Sequence, residues 1–449
     1  MKLFVGLDVS KAHLDTCFLL REYDSDTILL EKRVKNSDAG SSMIKKYILE
    51  FHKEFDFDKI VVGMEATGQY SLHPSLFFSN DSDLILINVQ TVVENPRVIS
   101  RYSKVFTEEK NDRIDAQLIA EFLSTEKYTE TTLRSEKHVA LLRLTRTRYQ
   151  LIHQKNEAQQ HYLETLYYKC NTLTSDLKEA DISTSVFSST MVELMNGDFS
   201  MAQLQAMKTA ELVDYLQKLG RQRFKAPDKL AKVLKKSIRD SYRLGKVAQN
   251  SIDINLGVQM RVIRALEKEI KVLDQAIKDI METMSESKVL LSIPGIGPVF
   301  AAGIMAEIGS IDRFDHEAQL AKYAGLHWPK HQSGNHQREH TPMSKSGNRY
   351  LRYYLVQAAN SVRHHIPEYT DYYNKKYNEV PKTQHKRALV LTARKFVRLV
   401  FALLSKHQLY IARSEAIESY ENSFLRTNNR SKHPNVYSHA GGLVQYCLF

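Results

Sequence analysis

The strand-like segments of this chain are confined to its first ninety residues. Alternating and continuous apolar patterns predict strands over 2–9, 14–21, 27–34, 59–65 and 83–89. Amphipathic spacing predicts helices over 37–54, 70–79, 90–101 and 112–125. Three consecutive strands followed by alternation of strands and helices indicate a mixed sheet with helices on its faces. This α/β region should form a domain over residues 1–130.

Beyond about residue 135 the patterns are helical. A long helix with basic residues on one side is expected over 137–172, followed by a polar helical segment over 173–245. Apolar residues then recur at spacings of three and four over 263–284, which indicates a coiled coil or a helical hairpin. The alternative is a helix packed within its own subunit. We expect a helical region over 135–288, a C-terminal domain over 289–410 and a polar tail over 411–449.

Composition favours a folded protein with a polyanionic partner. The chain has 449 residues, 43% of them hydrophobic, and a formal net charge of +11. Such a basic surface suits nucleic acid. Three distant cysteines, Cys17, Cys170 and Cys447, fit neither a disulfide framework nor a zinc site, so a reduced, cytoplasmic protein is expected. The sequence has no signal peptide h-region and no segment long enough to span a membrane.

Four acidic residues form a candidate metal site. Asp8 ends the first predicted strand in "VGLDVS", Glu65 ends another in "VVGMEATGQY", and Asp112 and Asp115 share one face of a helix. A ribonuclease H-like sheet places its first and fourth strands side by side. All four carboxylates would then be close together and would need a counter-charge, which Mg²⁺ supplies through oxygen ligands.

Each of these acids also has a simpler interpretation. An acid at the end of a strand is usually solvated, and acids in the first turn of a helix complement the helix dipole. If the metal site forms, Lys110 and Arg113, which are interleaved with the helix acids, would lie near a phosphate backbone.

The segment "LSIPGIGPVFAAGIMAEIG" at 291–309 resembles a helix-hairpin-helix. Gly295 and Gly297 would let its turn approach a phosphate, and the first amides of the following helix could bind that phosphate. A plain helix–helix turn is an equally good interpretation of this segment taken by itself.

Basic and aromatic residues interleave over 320–360, which suits phosphate contact. The basic candidates are Lys330, Arg338, Lys345, Arg349 and Arg352. Ser333 lies in "HQSG", and Ser344 and Ser346 lie in "SKSGN" just before a predicted helix. A serine just before a helix is normally an N-cap, which explains Ser346. Ser333 precedes no predicted helix and is therefore the candidate nucleophile, with nearby cations to stabilise phosphate charge.

Taken together, these motifs resemble the DEDD class of bacterial insertion-sequence transposases, the IS-one-ten family, also called bridge-RNA-guided recombinases. The resemblance rests on the ordered motifs "GLDVSK", "GMEATGQY", "KNDRIDAQLIA", "IPGIGPVFAAGIMAEIG", "KYAGL", "HQSG" and "SKSGNRYLR". It covers roughly residues 1–410. The segment 173–250 is longer than the resemblance leads us to expect.

The resemblance implies an α/β plus α fold. Its parts are an N-terminal RuvC-like (ribonuclease H-like) mixed sheet, a central coiled-coil region and a C-terminal, mostly α-helical transposase domain. The resemblance assigns the DEDD acids to Asp8, Glu65, Asp112 and Asp115, and the serine nucleophile to Ser333. It also implies a covalent phosphoserine intermediate, a dimer or tetramer with shared active sites, and a non-coding bridge RNA that pairs with donor and target DNA.

A DNA transposase or recombinase is therefore the expected function, acting in the bacterial cytoplasm at the nucleoid. The alternative is a metal-dependent, structure-specific nuclease resembling a Holliday-junction resolvase, which would need only the N-terminal acids. A nucleic-acid-binding scaffold with an inactive site is a third interpretation, and it gives no reason for four acids in this order.

Overall fold

The computed structural model describes residues 1–23, 25–106, 112–128, 136–196, 199–328, 332–333, 336–337 and 343–412. Lys110, Lys330, Arg338 and all but two residues of the predicted tail lie outside these ranges. The chain forms two compact units, residues 1–135 and 136–449, which are described separately. Within the described ranges, no helix combines the length and apolar character needed to cross a bilayer.

The first unit is built on a five-stranded sheet. Its elements are β1 Lys2–Val9, β2 His13–Glu22, β3 Ser25–Lys35, α1 Asp38–Phe55, β4 Lys59–Glu65, α2 Leu72–Asn80, α3 Ser82–Leu86, β5 Val89–Glu94, α4 Pro96–Phe106 and α5 Asp112–Ser124. The strand order is β3-β2-β1-β4-β5. β1 is antiparallel to β2 and parallel to β4, and β4 is parallel to β5. The predicted mixed sheet, with its first and fourth strands adjacent, is confirmed.

Alternation along β1 divides the core of this unit into two layers. Leu3, Val5 and Leu7 face one layer, where they pack with residues of α1 such as Ile44. Phe4 faces the other layer and packs with residues of α5 such as Ala116. The sheet is therefore covered by helices on both faces.

The prediction for residues 83–101 is wrong in its details. The segment 83–89 was predicted as a strand, yet Ser82–Leu86 is the helix α3. The Asp81 side chain caps that helix by accepting hydrogen bonds from the backbone nitrogens of Asp83 and Leu84 at 3.1 and 3.2 Å. The strand lies later, as β5, and the following helix α4 begins at Pro96, whose fixed φ suits the first turn.

The second unit is almost entirely helical. Its longer N-terminal part contains α6 Glu136–Lys169, α7 Leu173–Glu179, α8 Ser189–Asn196, α9 Met201–Ala206, α10 Thr209–Leu219, α11 Pro227–Asp240 and α12 Lys246–Glu282. Its C-terminal part contains α13 Ser287–Leu291, α14 Pro298–Ile308, a 3-10 turn Ile311–Arg313, α15 Glu317–Tyr323, β6 Gln332–Ser333, β7 His336–Gln337, α16 Arg349–Val362, α17 Pro367–Asn378 and α18 Gln384–Ser405.

The helices α6 and α12 form an antiparallel hairpin. Ion pairs link Arg148 with Asp274, Lys155 with Glu267 and Lys169 with Asp253 along its length. The seam residues Ile263, Ile270 and Ile277 are buried within this one chain. Of the two predicted alternatives the helical hairpin is therefore observed, and these seam residues are already covered by their own subunit.

Residues 170–245, which we call the inserted module, join the two helices of the hairpin. Leu177, Leu204, Leu216 and Leu234 come from four helices of this module and form a core with residues at the adjoining ends of α6 and α12. The module is therefore a packed structure with its own hydrophobic core.

A third core fills the C-terminal part of the second unit. Leu351 and Phe396 from α16 and α18 share this core with Leu141 of α6 and Ile277 of α12. Residues Ala301–Ile308 of α14 are all buried at its centre. The predicted domain boundary near residue 288 does not coincide with a break in this core and stays a prediction.

Candidate active site

Asp8 and Glu65 stand at the carboxyl ends of two neighbouring parallel strands. They directly follow Leu7 and Met64, which are paired in the register of β1 and β4. Asp8 shares a face of the sheet with Phe4, and Glu65 shares the same face with Val61, because side chains alternate along a strand. The two carboxylates therefore occupy one end of the sheet, on the face that α5 covers.

Two glycines explain how α5 lies so close to this face. A methyl group at Gly6 would stand 2.2 Å from the carbonyl oxygen of Ala116, and one at Gly63 would stand 2.4 Å from a methyl carbon of Leu123. Each glycine comes two residues before an acid, in "GLD" and "GME". These motifs thus combine a close helix approach with a carboxylate at the strand end.

The direction of α5 places its first turn at the acidic end of the sheet. Glu126, just beyond the last residue of α5, accepts hydrogen bonds from Lys2 and Lys59, both at 3.0 Å. These lysines begin β1 and β4, so α5 runs antiparallel to both strands. Its opening residues, Asp112 and Asp115, consequently lie toward Asp8 and Glu65. The side chain of Asp115 is half-buried, and those of Asp112 and Arg113 lie outside the described side chains.

Two further acids share this row, and sequence reasoning missed them. Asp15 pairs with Asp8 in the register of β1 and β2, and Glu94 pairs with Glu65 in the register of β4 and β5. Asp15 is neutralised by Arg33, whose Nε lies 2.7 Å from the carboxylate. Glu94 is buried, and its carboxylate accepts a hydrogen bond from the Asn95 nitrogen at 2.7 Å. Glu94 was missed because its strand was predicted to end at residue 89, five residues before Glu94.

The donor chemistry of this edge suits a hard divalent cation. Carboxylates on neighbouring strands, about 4.8 Å apart, repel one another unless a cation is present. All the acids of the row offer oxygen ligands, which Mg²⁺ prefers. Among the described side chains, no three acids, histidines or cysteines already converge on one metal position. The strand-end acids are placed at one edge of the sheet by the register of β1, β2, β4 and β5.

In the second unit, the motifs "KYAGL" and "SKSGN" are brought together. The Asn348 nitrogen donates to the Tyr323 carbonyl oxygen at 2.7 Å, and the Ser344 nitrogen donates to the His327 carbonyl oxygen at 2.9 Å. Gly347 has a φ of 149° and lies against the Tyr323 carbonyl oxygen, where a methyl group would stand 2.6 Å away. The glycine is therefore required for the close approach of these two segments.

A buried carboxylate fixes the start of α16. Glu307, with 0% exposure of its side chain, binds Arg146 through two contacts of 2.7 and 2.8 Å and accepts from the Asn348 amide at 2.7 Å. Asn348 in turn caps α16 by accepting from the nitrogens of Tyr350 and Leu351. The hydrogen bond to Glu307 raises the pKa of the Arg146 guanidinium. The only sequence signal for Glu307 was a charged residue in an otherwise apolar helix.

The three candidate serines occupy different settings. Ser333 in β6 pairs with His336 in β7, and His327 and Ser344, which flank these strands in the sequence, form an isolated antiparallel bridge. The side chain of Ser333 lies outside the described side chains. The expectation that Ser346 caps the next helix is wrong, because Asn348 is the N-cap. The Asn348 side chain accepts hydrogen bonds from the first-turn nitrogens of Tyr350 and Leu351, and Ser346 lies two residues too early in the chain to take that position.

Of the basic residues predicted to contact phosphate in this region, the structure describes Lys345, Arg349 and Arg352. Lys345 and Arg349 are exposed near the start of α16, whereas Arg352 donates to the carbonyl oxygens of Ala324 and Lys345 at 3.0 and 3.1 Å. Arg352 therefore also holds the chain's own turns together.

The two glycines of the predicted helix-hairpin-helix differ in their surroundings. Gly295 has a φ of +91° and packs against α16, where Ser361 donates to its carbonyl oxygen at 2.7 Å. Gly297 borders open space. A phosphate could thus approach the turn at Gly297 and the start of α14 more easily than at Gly295.

Comparison with known families matches two segments of the chain. A transposase family model of the DEDD, IS110 type matches residues 5–168, and the model of the Transposase IS116/IS110/IS902 family matches residues 287–374. The first segment contains all four predicted acids, and the second contains Ser333. The inserted module lies between the two matched segments.

Several proteins of insertion elements are similar to this chain. The transposase for IS1111A of Coxiella burnetii is 30% identical over 33% of this chain and 43% of its own length. The 44.8 kDa protein of IS116 from Streptomyces clavuligerus is 31% identical over 32% of this chain and 36% of its own length. The mini-circle protein of IS117 from Streptomyces coelicolor is 25% identical over 72% of this chain and 76% of its own length. The first two alignments thus span less than half of the relatives.

Among solved structures, RuvC of T. thermophilus in complex with a Holliday junction substrate aligns with 29% of this chain and 99% of its own, at 13% identity and a TM-score of 0.22. A score this low supports no inference.

The ordered motifs, the two matched segments and the insertion-element relatives all agree, and the chain belongs to the IS116/IS110/IS902 family of transposases.

Proposed function

We propose that this protein is a DNA transposase that cuts and rejoins DNA strands through Ser333 and a magnesium-dependent DEDD site. The observation that carries the proposal is the position of Asp8 and Glu65 at the ends of adjacent parallel strands, on the face covered by α5 with Asp115. Sequence membership of the transposase family supports the DNA substrate.

In this proposal Ser333 supplies the nucleophilic oxygen. A bond forms between that oxygen and the scissile phosphorus, and the bond to the leaving strand breaks, releasing a DNA hydroxyl that takes up the proton. Rejoining reverses these changes, with the hydroxyl of another strand as nucleophile and Ser333 as leaving group. The number of phosphodiester bonds is conserved, so the reaction needs no external energy source.

The acids Asp8, Glu65, Asp112 and Asp115 would hold Mg²⁺. When bound, the ion supplies positive charge for phosphate oxygens that gain negative charge during strand exchange. The protein's own contribution is placement: Gly6 and Gly63 let α5 approach the sheet, and Glu126 fixes the direction of the helix.

The rigid start of α16 would position the phosphate in the second unit. Lys345 and Arg349 are exposed there, and the buried Glu307–Asn348 contact holds the helix start in place. Cations on a fixed scaffold can stabilise charge that develops on a transferring phosphate. Guidance by a bridge RNA that pairs with donor and target DNA is proposed from membership of the family, and the net charge of +11 is consistent with it.

We also propose that the protein assembles as a homo-oligomer through the outer face of α12. Apolar residues that the hairpin leaves exposed share this face of the helix: Val247, Ile254, Val258, Val262 and Val272, with exposures of 86%, 67%, 44%, 47% and 56%. Exposed apolar side chains in such a row are unfavourable in water, and a second copy of the helix would cover them.

Trapping the reaction on DNA distinguishes this proposal from the alternative nuclease. A transposase with a serine nucleophile leaves a covalent protein–DNA adduct on a nicked substrate that cannot be rejoined, and Asp8→Asn abolishes that adduct while DNA binding persists. Cleavage in Mg²⁺ with no adduct at any time point would favour a resolvase-like nuclease that uses water. Binding without cleavage would favour a scaffold.

A further inference from the structure

We infer that the inserted module carries a binding site for unpaired nucleotides, in a cleft between the ends of α6 and α12 and the helices α8 and α9. The cleft has a volume of about 300 Å³. Apart from Tyr168, its lining residues fall in the sequence between the two segments matched by the family models, and none of them is a proposed DEDD acid or Ser333.

Exposed aromatic side chains border this cleft. Tyr168 and Tyr242 line it with exposures of 64% and 83%, and Leu244 beside them is 38% exposed. Exposed aromatic and apolar groups gathered around a concavity commonly mark a binding surface. Nucleobases stack on such rings irrespective of sequence, because every base has a π-face.

The loop that presents Tyr242 is held by two polar contacts, one exposed and one buried. The Tyr242 nitrogen donates to the Asn171 side-chain oxygen at 3.1 Å, and the neighbouring Ser241 hydroxyl contacts the Cys170 sulfur at 3.3 Å. Ser241 is itself buried. The ring is thus held outward by an anchored backbone, so little ordering of the loop would be needed when a base binds.

The charges of the cleft suit a phosphate backbone. Arg243 lines the cleft and, among the described residues, has no carboxylate within ion-pair distance. The cleft's Lys169 is already used, since it binds Asp253 at 2.6 Å and the Met195 carbonyl oxygen. Arg243 is therefore the cation available to a ligand.

A strongly basic stretch leads to the cleft. Residues 218–246 contain eleven Lys and Arg against two Asp, a net charge of +9 in a chain whose total is +11. On α11, Lys229 and Lys232 are exposed. Within this stretch Lys236 and Arg239 are paired with Asp176 and Asp240. Cations and exposed aromatic rings on one module are the combination by which proteins bind single strands, with phosphates on the cations and bases on the rings. A protein partner would be expected to prefer a less charged surface.

The test measures binding of labelled 12-nucleotide oligo(U) RNA, oligo(dT) DNA and a 12-base-pair duplex to the full chain carrying Asp8→Asn, which keeps chemistry out of the measurement. We expect Tyr242→Ala and Tyr168→Ala each to weaken binding of a single strand by about fivefold or more. A fivefold loss is about the smallest effect expected when one base loses its stacking partner. Tyr242→Phe should bind as the parent does, because the ring remains. Tyr167→Ala is the matched control, since Tyr167 neighbours Tyr168 on α6, is 61% exposed and does not line the cleft.

Ultraviolet crosslinking of a 4-thiouridine RNA followed by peptide mapping should identify the peptides that contain Tyr168 or Tyr242. A stronger effect on oligo(U) than on oligo(dT) would identify RNA as the source of the nucleotides, and equal effects would include DNA; both support the site. Single-strand binding that is unchanged in both alanine variants would overturn it. So would equal losses for the duplex and the single strand. Because the background variant lacks Asp8, failure of the proposed catalysis would leave this result unaffected.

Discussion

Gly6 on β1 lies so close to α5 that an added methyl group would stand 2.2 Å from the Ala116 carbonyl oxygen and 2.5 Å from the Ala120 nitrogen. Both neighbours are backbone atoms of a helix and cannot turn aside. Gly6→Ala must therefore push α5, with Asp112 and Asp115, away from Asp8. We predict a loss of about 1–3 kcal/mol in the free energy of unfolding, typical of overpacking.

Urea unfolding of the full chain measures this effect. Gly257→Ala, within α12, serves as the control, because a methyl group there would meet only the end of the Arg261 side chain, at 3.4 Å. The close contact would be refuted by Gly6→Ala unfolding at the same urea concentration as the parent.

Magnesium should stabilise the protein through the acids at the sheet edge. A ligand that binds only the folded state at 100 times its Kd adds about 2.7 kcal/mol, so the unfolding temperature of the parent should rise when Mg²⁺ is added. Asp8→Asn should remove most of that rise while unfolding at or above the parent's temperature without metal, because it relieves repulsion between carboxylates. Glu22→Gln, on the exposed end of β2, should retain the rise. An equal rise in Asp8→Asn would exclude Asp8 as a ligand.

The hydroxyl of Tyr162 is buried and meets no hydrogen-bond partner among the residues that the structure describes. Removing it in Tyr162→Phe should raise the free energy of unfolding by about 1 kcal/mol or more. Burial also raises the pKa of Tyr162 from its usual value near 10 to about 12.

That pKa shift makes the benefit of phenylalanine depend on pH. The pKa of Tyr162 is higher in the folded protein than in the unfolded chain, so the stability that depends on its protonated hydroxyl is fully present below pH 10. That stability is lost as the pH rises toward 12, because the tyrosine of the unfolded chain ionises first. The advantage of Tyr162→Phe should therefore widen between pH 9 and pH 11 in urea titrations. Tyr167→Phe, at an exposed position, should show no such change. If the difference in the free energy of unfolding between Tyr162→Phe and the parent stays constant with pH, the burial of the Tyr162 hydroxyl is contradicted.

Charged residues on the outer face of α12 should dissociate the proposed oligomer. Val258→Glu with Val262→Glu places two carboxylates where a second copy would pack, and burying an unpaired charge is strongly unfavourable. Light scattering after size exclusion should report a smaller particle for this double variant. Lys271→Glu, on an exposed part of α12 away from this row, should leave the mass unchanged. The same mass in all three proteins would remove α12 from the interface.

The sheet was largely predictable from sequence because its central strands carry unmistakable apolar runs that end in acids. β1 and β4 were predicted with the bounds observed. β5 was not, since "DLILINV" has the same apolar character as a strand, and only the Asp81 cap decides for a helix. That error concealed Glu94, whose place in the acidic row depends on pairing with Glu65.

In the second unit, local patterns predicted helices and could not predict which helices pack together. The periodic seam containing Ile263 was compatible with pairing between subunits or within one chain, and only the tertiary structure shows α6 as its partner. Glu307 was missed for a related reason. The residues around Glu307 in the sequence do not indicate that Arg146 and Asn348 bind it, because both come from distant parts of the chain.

Identifying the amino acid that becomes linked to DNA tests the proposed reaction most directly. The parent and the variants Ser333→Ala, Ser344→Ala and Ser346→Ala would be incubated in Mg²⁺ with a nicked DNA substrate, denatured, and examined for covalent adducts by peptide mapping. Ser333→Ala should yield no adduct and still bind DNA, whereas the other two variants should yield an adduct on the peptide containing Ser333. An adduct that persists in Ser333→Ala and disappears with Ser344→Ala or Ser346→Ala would contradict the assignment of Ser333 as the nucleophile.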